Sequence, residues 1–303
     1  MSNLATIGVA IMTHSAKKHL PFCLSPLLKS KLPLRIMVVN SSSHDGTVEL
    51  AEKMGVETLV VPRNEFNHGT TREKARQALG TDIVVMMTPD AYLAHPEAVE
   101  KLIAPILDGT AAVSYGRQIA HDGAKFFERF HRDFNYPLES HIRGLNDLEM
   151  YGPYTFFCSN SFAAYSNKAL DEVEGFEHVL LGEDTVATAK LLRKGYKIAY
   201  VAEAIAQHSH AYTLTQEFKR TFDTGLARKV YQHHFEGASS DTKRGVQYIK
   251  QMFKELSRKE PSLIPYAALQ TLVRYVAYKI GAASCNAPMW LKRKLSSQDF
   301  YWK

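Results

Sequence analysis

Short apolar runs and helical segments alternate along the first part of the chain, and this alternation constrains the fold more than any other feature. The runs are rich in Val, Ile, Leu and Met and are bounded by polar clusters, as is typical of buried parallel strands. Strands are predicted at 6–12, 34–39, 57–61 and 82–87, with helices at about 17–31, 45–54 and 70–79. This spacing predicts an α/β fold with a Rossmann-like, mostly parallel sheet that is flanked by helices.

The rest of the chain continues this alternation and then changes to helices alone. We predict a helix near 96–107, strands at 110–116 and 155–165, a helix from Glu183 to about Lys194, and final strands within 197–208. The long aromatic and basic stretch between 116 and 155 is expected to form a loop or lid. Helices are predicted at about 214–234, 241–257 and 263–281. Residues 1–212 should therefore form the sheet domain, and residues 213–303 a helical C-terminal region.

Charge is distributed unevenly between these two regions. Residues 213–303 hold 16 lysines and arginines against 7 acidic residues, or +9, whereas residues 1–212 hold 21 against 24, or −3. Such a basic region is expected to face an anionic membrane surface or a pyrophosphate-bearing ligand. A solvated helix face, or helices that form a homodimer, would account for the same residues. We expect no nucleic-acid partner.

The sequence shows no mark of export. Its first residues lack a cationic segment before the apolar run, and no stretch of about 18 uncharged apolar residues occurs. Cys23, Cys158 and Cys285 lie far apart without a CxxC pair, which argues against a disulfide framework and a thiolate zinc site. We therefore expect a cytoplasmic protein, soluble or peripheral at the inner face of the membrane.

Polar residues follow the predicted parallel strands, at the sheet edge where such folds bind ligands. Thr13 and Asn40 follow the first two strands, and Arg72 begins the helix after the third, where its guanidinium could hold a diphosphate. Thr88 and Asp90 follow the fourth strand, and a carboxylate directly after buried apolar residues is well placed to bind a divalent metal. Helix capping and solvated surface charge are the alternative interpretations of these residues.

Two more groups of chemically active residues occur later in the chain. Glu183 and Asp184 precede an apolar helical stripe, so Glu183 could cap the helix while Asp184 accepts a proton from a substrate hydroxyl. His208 and His210 alternate after a strand, which directs both imidazoles to one face. A metal site with Asp90 is one interpretation of this pair. A zinc hydrolase is another, although no HExxH motif supports it.

Taken in order, these segments resemble the inverting GT-A glycosyltransferases of family two, most closely their bacterial rhamnosyltransferase-like branch. The resemblance covers about residues 5–235 and rests on seven short segments: FNHGTTRE, TPDAY, YGRQ, FNYP, CSNSFAAY, GEDT and HSHAY. It implies a GT-A fold in which residues 1–212 bind the nucleotide sugar and catalyse transfer. The implied reaction is a single displacement from a nucleoside diphosphate sugar, with inversion.

The resemblance also implies roles for individual residues. Thr13, Asn40, Arg72 and Thr88 would line the nucleotide pocket, and Asp184 would be the catalytic base. Asn40 stands where such enzymes usually carry an acidic residue that reads the pyrimidine, which leaves the choice of base open.

A divalent metal, Mg²⁺ or Mn²⁺, is the implied cofactor. Asp90 would hold it on the diphosphate, and His210, or else His208, would complete its ligands. The usual Asp-x-Asp is reduced here to Thr88-Pro89-Asp90, so a single carboxylate is available.

The substrates are inferred only as classes. The segment from Arg117 to Tyr136, with Tyr154 and Asn160, is expected on the acceptor side because sugars stack on aromatic rings; the same aromatics could be core. Glu183 and His208 are further candidates for sugar contacts. The expected reaction moves rhamnose from dTDP-rhamnose to a saccharide or lipid-linked saccharide in O-antigen or related surface polysaccharide synthesis. A UDP-hexose donor and a catalytically silent nucleotide-sugar-binding scaffold are the alternatives.

Overall fold

The strands form one mixed sheet in the computed structural model, which describes residues 5–238 and 242–302. The strands are β1 (Ile7–Thr13), β2 (Leu34–Asn40), β3 (Glu57–Val60), β4 (Ile83–Met87), β5 (Tyr92–Leu93), β6 (Val113–Ile119), β7 (His141–Arg143), β8 (Phe162–Ser166) and β9 (Ile198–Gln207). Their order is β3-β2-β1-β4-β8-β6-β9-β5, with β7 also paired to β9. β3, β2, β1 and β4 are parallel, β8 is antiparallel to both of its neighbours, and β6 and β9 are again parallel. The predicted mostly parallel α/β sheet is therefore confirmed.

Helices cover both faces of the sheet and form the C-terminal region. They are α1 (Leu20–Leu28), α2 (Thr47–Lys53), α3 (His68–Leu79), α4 (Ala98–Leu107), α5 (Phe126–Asn135), α6 (Leu148–Tyr151), α7 (Asn167–Asp171), α8 (Glu183–Arg193), α9 (Leu214–Val230), α10 (Thr242–Lys259), α11 (Ile264–Ala283) and α12 (Met289–Leu295). Short 3-10 helices span Leu145–Asp147, Gly152–Phe156, Gln232–Phe235, Pro261–Leu263 and Asp299–Tyr301. No helix among the described residues is both long enough and apolar enough to cross a bilayer.

Alternate residues of β1 enter two separate cores, one on each face of the sheet. Met12 belongs to the cluster that contains Leu79 of α3, whereas its neighbour Ile11 belongs to the cluster that contains Leu24 of α1 and Leu102 of α4. Side chains of a strand point alternately to opposite faces, so a strand buried on both faces must be apolar throughout. This is why the strand sequences are continuous apolar runs.

Two predicted elements differ from the structure. The strand predicted at 155–165 begins only at Phe162, because the preceding residues form a 3-10 helix that starts at Gly152, with φ +55°, and then a turn. The expected loop between 116 and 155 contains α5. Its Phe126 and Phe130, one helical turn apart, pack with Met252 of α10, and this contact stabilises a helix that the aromatic composition concealed.

Two of the C-terminal helices, α9 and α11, pack tightly against each other. A Cβ added at Gly225 of α9 would lie 2.2 Å from the carbonyl oxygen of Tyr278, and one at Gly281 of α11 would lie 2.0 Å from that of Phe222. The two helix backbones therefore meet at positions where only glycine fits. Beyond α12 the chain returns to α9, where the backbone N–H and hydroxyl of Ser297 donate to Asp223 Oδ2 at 2.8 and 2.6 Å.

Candidate active site

A cavity of about 1470 Å³ opens at the carboxyl ends of β1 and β4. His14, which follows β1, and Thr88 and Asp90, which follow β4, line it on one side. Glu183 and Asp184, at the start of α8, line it on another. The cavity thus lies at the sheet edge where α/β folds bind ligands, and it brings together carboxylates from separate segments.

Asp90, His208 and His210 form a compact group that could hold a metal ion. One ligand atom from each lies within 4.8 Å of the other two. The Nε2 atoms of His208 and His210 lie 3.6 and 3.4 Å from the two carboxylate oxygens of Asp90. The structure therefore brings both histidines to Asp90, whereas the sequence favoured His210.

The orientation of His208 is fixed by Gln118 on β6. Arg132 can only donate, and its Nη1 lies 2.9 Å from Gln118 Oε1, which identifies that atom as the amide oxygen. The same oxygen lies 2.8 Å from His208 Nδ1, so Nδ1 carries the proton. The contact from Arg132 Nη2 to Nδ1 is longer, at 3.4 Å. Neutral His208 therefore directs the lone pair of Nε2 toward Asp90.

Burial keeps both imidazoles neutral. It lowers the pKa of His210 to about 4, with His208 adding to the effect, and it lowers the pKa of His208 against the opposing pull of Asp90. Burial alone would raise the pKa of Asp90, but His208 and His210 outweigh it and lower that pKa below the usual range. The Nε2 lone pair of His208 and the ionised carboxylate oxygen of Asp90 at 3.6 Å repel each other, unless a cation lies between them. One oxygen and two nitrogen donors fit a divalent metal.

Gln118→Ala is expected to weaken Mn²⁺ binding by ~10–100-fold, because His208 loses the acceptor that fixes its tautomer and ring orientation. Titration of the protein with Mn²⁺, followed by electron paramagnetic resonance of the free ion, would measure this. Gln207→Ala, at the end of β9, is the matched control and should bind Mn²⁺ as the wild type does. Equal affinity in the Gln118 variant would contradict this role.

Asp184 lies at the N-terminus of α8 with its carboxylate held by backbone donors. The N–H of Thr185 donates to Oδ1 at 2.7 Å, and the N–H of Asn160 donates to Oδ2 at 3.2 Å. Burial, together with the neighbouring carboxylate of Glu183, nevertheless raises the pKa of Asp184 to about 6. Asp184 is therefore ionised at pH 7 but basic enough to accept a proton.

Glu183 lies in a network that keeps it ionised beside Asp184. Burial alone would raise the pKa of Glu183, but Arg72 and then His68 lower it. Arg72 Nη1 lies 3.1 Å from Glu183 Oε1, and Asn160 Nδ2 donates to the same oxygen at 3.0 Å. The two adjacent carboxyl groups thus have pKa values shifted in opposite directions, a pattern typical of acid–base sites.

The pH dependence of turnover should report this raised pKa. Since only the ionised carboxylate accepts a proton, kcat/KM is expected to fall ~10-fold per pH unit below about pH 6. A rate profile between pH 5 and pH 8 at saturating Mn²⁺ would test it, with thermal unfolding curves at each pH as the control for stability. A flat profile down to pH 5 would contradict the role of Asp184.

A family model for "Glycosyl transferase family 2" matches residues 8–174, which is more than half of the chain. The chain belongs to this family. The match confirms the family and the glycosyltransferase activity that were predicted from the sequence. This family 2 glycosyltransferase therefore transfers a sugar from a donor to an acceptor.

Two relatives of this family 2 enzyme match along nearly their whole length. The O-antigen chain rhamnosyltransferase RfbN of Salmonella typhimurium is 35% identical, over 98% of this chain and 96% of the relative. The O-antigen chain rhamnosyltransferase WbaN of Salmonella anatum is 37% identical, over 89% and 86% respectively.

Solved structures share the fold of this enzyme at low sequence identity. The mannosyltransferase PcManGT of Pyrobaculum calidifontis, in complex with GDP-Man and Mn²⁺, superposes with a TM-score of 0.60 and 15% identity over 99% of this chain and 86% of that one. TarS 1–349 of S. aureus, in complex with UDP-GlcNAc, gives 0.57 and 14% over 96% and 84%. The GT-A fold expected from the sequence is confirmed.

Several residues assigned to the nucleotide pocket from the sequence lie behind the cavity wall of this enzyme. Thr13 is buried, with its hydroxyl on Val39 O, and it accepts a hydrogen bond from Asn40 Nδ2 at 3.2 Å. Arg72 is buried against Glu183 and against the carbonyl oxygen of His68. Of the four nucleotide candidates, Thr88 lines the cavity. For the other three, a direct contact with nucleotide stays a prediction.

Three residues that were expected on the acceptor side do not line the cavity. Tyr154 is buried, with its hydroxyl bonded to Tyr115 and to the carbonyl of Asn135, and Arg117 is absent from the cavity lining. Asn160 is also buried and supports Glu183 and Asp184 rather than facing the cavity. Their contact with a sugar stays a prediction.

Three polar residues that contribute to the cavity were not singled out from the sequence, although two of them lie in the segment from Arg117 to Tyr136 that was expected on the acceptor side. Gln118 and Arg132 hold His208, and Arg220 of α9 lines the cavity with its guanidinium 4.5 Å from the ring centroid of Tyr212. Arg220 also contributes to the lowered pKa of His210, which places its charge near that histidine. The signal available in the sequence was position: Gln118 belongs to the YGRQ segment, and Arg220 follows HSHAY within a basic helix.

Proposed function

We propose that this glycosyltransferase moves rhamnose from dTDP-rhamnose to a saccharide or lipid-linked saccharide acceptor, with inversion, in O-antigen or related polysaccharide synthesis. The observation that carries this proposal is the match to two O-antigen chain rhamnosyltransferases over almost the whole chain, including its helical C-terminal region. The cavity also contains the carboxylate of Asp184, whose pKa is raised, and a group of side chains that could hold a metal ion. A base and a metal site are what metal-dependent glycosyl transfer requires.

In the proposed mechanism Asp184 is the base. Its carboxylate takes the proton of the acceptor hydroxyl while that oxygen forms a bond to the anomeric carbon. The bond from this carbon to the diphosphate oxygen breaks, its electron pair leaves with the nucleoside diphosphate, and the configuration inverts. Glu183 stays ionised on Arg72 and thereby keeps the proton affinity of Asp184 high.

We further propose that Asp90, His208 and His210 hold the divalent cation. When bound, this cation offsets charge on the leaving diphosphate. Two imidazole nitrogens favour Mn²⁺ over Mg²⁺, since Mg²⁺ prefers oxygen ligands alone. The second histidine thus compensates for the carboxylate that the Asp-x-Asp position lacks. Arg220, on the same side of the cavity, supplies a further positive charge for the diphosphate.

A panel of donors decides the identity of the sugar. We expect dTDP-rhamnose with Mn²⁺ to raise the melting temperature more than UDP-glucose, UDP-GlcNAc or GDP-mannose, and to be the donor turned over with a rhamnose-accepting oligosaccharide. Preferential binding and turnover of a UDP-hexose would replace the rhamnose assignment. Binding without turnover of any donor would favour the scaffold alternative.

A further inference from the structure

The outward face of α11 is apolar, which is unusual for a helix at a protein surface. Leu269, Leu272, Val276 and Ile280 recur at helical spacing and are 48%, 58%, 40% and 38% exposed. We call these four residues the α11 stripe. A helix that serves only to cover a core has its polar residues on this face, and contiguous exposed apolar residues mark a binding surface.

The opposite face of α11 already makes the contacts that hold the helix. Ala267, Ala277 and Gly281 are buried, and Gly281 meets the backbone of α9. The stripe lies on the side of α11 that faces away from these contacts. The packing of α11 on α9 therefore does not account for the apolar character of the stripe.

Basic residues accompany the stripe. Residues 242–302 contain eleven lysines and arginines against three acidic residues. Lys243, Lys250, Lys254 and Arg258 are all exposed and recur along one face of α10, which packs on α11. Exposed apolar side chains on one helix and exposed basic side chains on the helix packed against it match a surface that is apolar inside and anionic outside.

Aromatic and basic residues recur together after α11. Trp290 of α12 is 66% exposed, and Arg293 and Lys294 follow it on the same short helix. Tryptophan is favoured at the boundary between lipid headgroups and acyl chains, where its ring is part buried and its N–H stays hydrated. α12 thus carries exposed apolar and basic residues together, as α10 and α11 do.

We propose that the α11 stripe and the basic residues of α10 and α12 dock this enzyme on an anionic lipid bilayer. α11 would lie along the headgroup boundary with Leu272 and Val276 inserted. A second copy of the chain fits less well, because two such basic segments would repel each other. The proposal goes beyond the proposed function, since it concerns where the enzyme sits and not which sugar it transfers.

The docking surface is continuous with the cavity. Tyr266, Gln270 and Arg274 of α11 line the cavity, while the stripe occupies the outer side of the same helix. Docking would therefore bring the cavity within one helix diameter of the bilayer, about 10 Å. An acceptor carried on a lipid could then reach Asp184 without leaving the membrane.

Co-sedimentation of the full chain with vesicles tests the proposal. We expect binding to phosphatidylcholine vesicles that contain phosphatidylglycerol, little binding to phosphatidylcholine alone, and a decrease with added salt. The double variant Leu272→Glu/Val276→Glu should reduce partitioning ~10-fold or more, because it removes inserted apolar area and adds charges that the lipid repels. Its matched control, Val60→Glu/Leu107→Glu, alters two exposed apolar residues of β3 and α4 and should bind like the wild type.

A second variant tests the contribution of the basic residues to membrane binding. Lys250→Gln/Lys254→Gln should also reduce binding ~10-fold, and its thermal unfolding should match that of the wild type. Equal binding of wild type and stripe variant, or no binding of the wild type to anionic vesicles, overturns the proposal. Sedimentation velocity covers the remaining case: a wild-type dimer that becomes monomeric in the stripe variant, without vesicle binding, assigns the stripe to a second copy instead.

Discussion

Asp184→Asn is expected to lower kcat for glycosyl transfer by ~10³-fold, because the amide cannot accept the proton of the acceptor hydroxyl. Donor binding should be little changed, since Asp184 interacts with the acceptor in the proposed mechanism. The amide oxygen can keep the hydrogen bond from Thr185 N, whereas the amide nitrogen then faces the N–H of Asn160 at the position of Oδ2. A small loss of thermal stability should accompany the loss of activity.

The measurement is single-turnover transfer at saturating donor and Mn²⁺, with donor affinity from calorimetry. Asp108→Asn, an exposed carboxyl at the end of α4, is the matched control and should turn over like the wild type. A variant of Asp184 that folds, binds donor and retains wild-type kcat would exclude this residue as the base.

Asp90→Asn should abolish tight Mn²⁺ binding and lower kcat/KM by ~10³-fold, because the group loses its negative charge and a ligand atom. Without the carboxylate, the remaining ligands are two neutral imidazoles that hold a hard cation weakly. Raising Mn²⁺ should recover part of the activity in this variant, whereas it should not help Asp184→Asn. This difference separates a metal ligand from a base.

Titration of Mn²⁺ in the absence of substrates gives the affinity without reference to activity. Asp122→Asn, an exposed carboxyl bonded to Gln207 near the same strand end, controls for the loss of a charge. Unchanged Mn²⁺ affinity in Asp90→Asn would exclude the Asp90, His208 and His210 group as the metal site.

Strand-end position allowed part of the site to be predicted from the sequence. Asp90 follows a run of buried residues and Asp184 opens a helix, and both line the cavity because strand ends and helix starts meet at one edge of such a sheet. The pKa of Asp184 could not be predicted. It depends on Glu183, and on burial that arises only when α8 packs beside the turn at Asn160.

Gln118 shows why the rest of the site could not be predicted from the sequence. Arg117 and Gln118 point to opposite sides of β6, and the sequence offers no reason to prefer either. The register between β6 and β9 shifts at this point, since Gly116 pairs with Val201 but Arg117 pairs with Ile205. A bulge of this kind re-aims side chains beside a site, and a single sequence does not reveal it. Arg132, which completes the contact, lies on a helix that was expected to be a loop.

The fold was easier to predict than the site, because buried parallel strands have a distinct sequence pattern of continuous apolar residues. The continuous apolar runs located β1 to β4, and the structure confirms their parallel order. The helix α5 was missed since its Phe126 and Phe130 are stabilised by residues of α10 that lie far away in sequence. Long-range contacts of this kind override local composition.

The close contact between the backbones of α9 and α11, at Gly225 and Gly281, limits how this enzyme can be recombined with its relatives. Gly225 is required by the backbone of α11, and Gly281 by the backbone of α9, so each depends on a helix that it does not belong to. A chimera that joins α9 of one parent to α11 of another would have to inherit both glycines to assemble. A crossover placed before Leu214 keeps the pair together, and it would exchange the whole C-terminal region, including the cavity wall that α9 and α11 provide, as one inherited block.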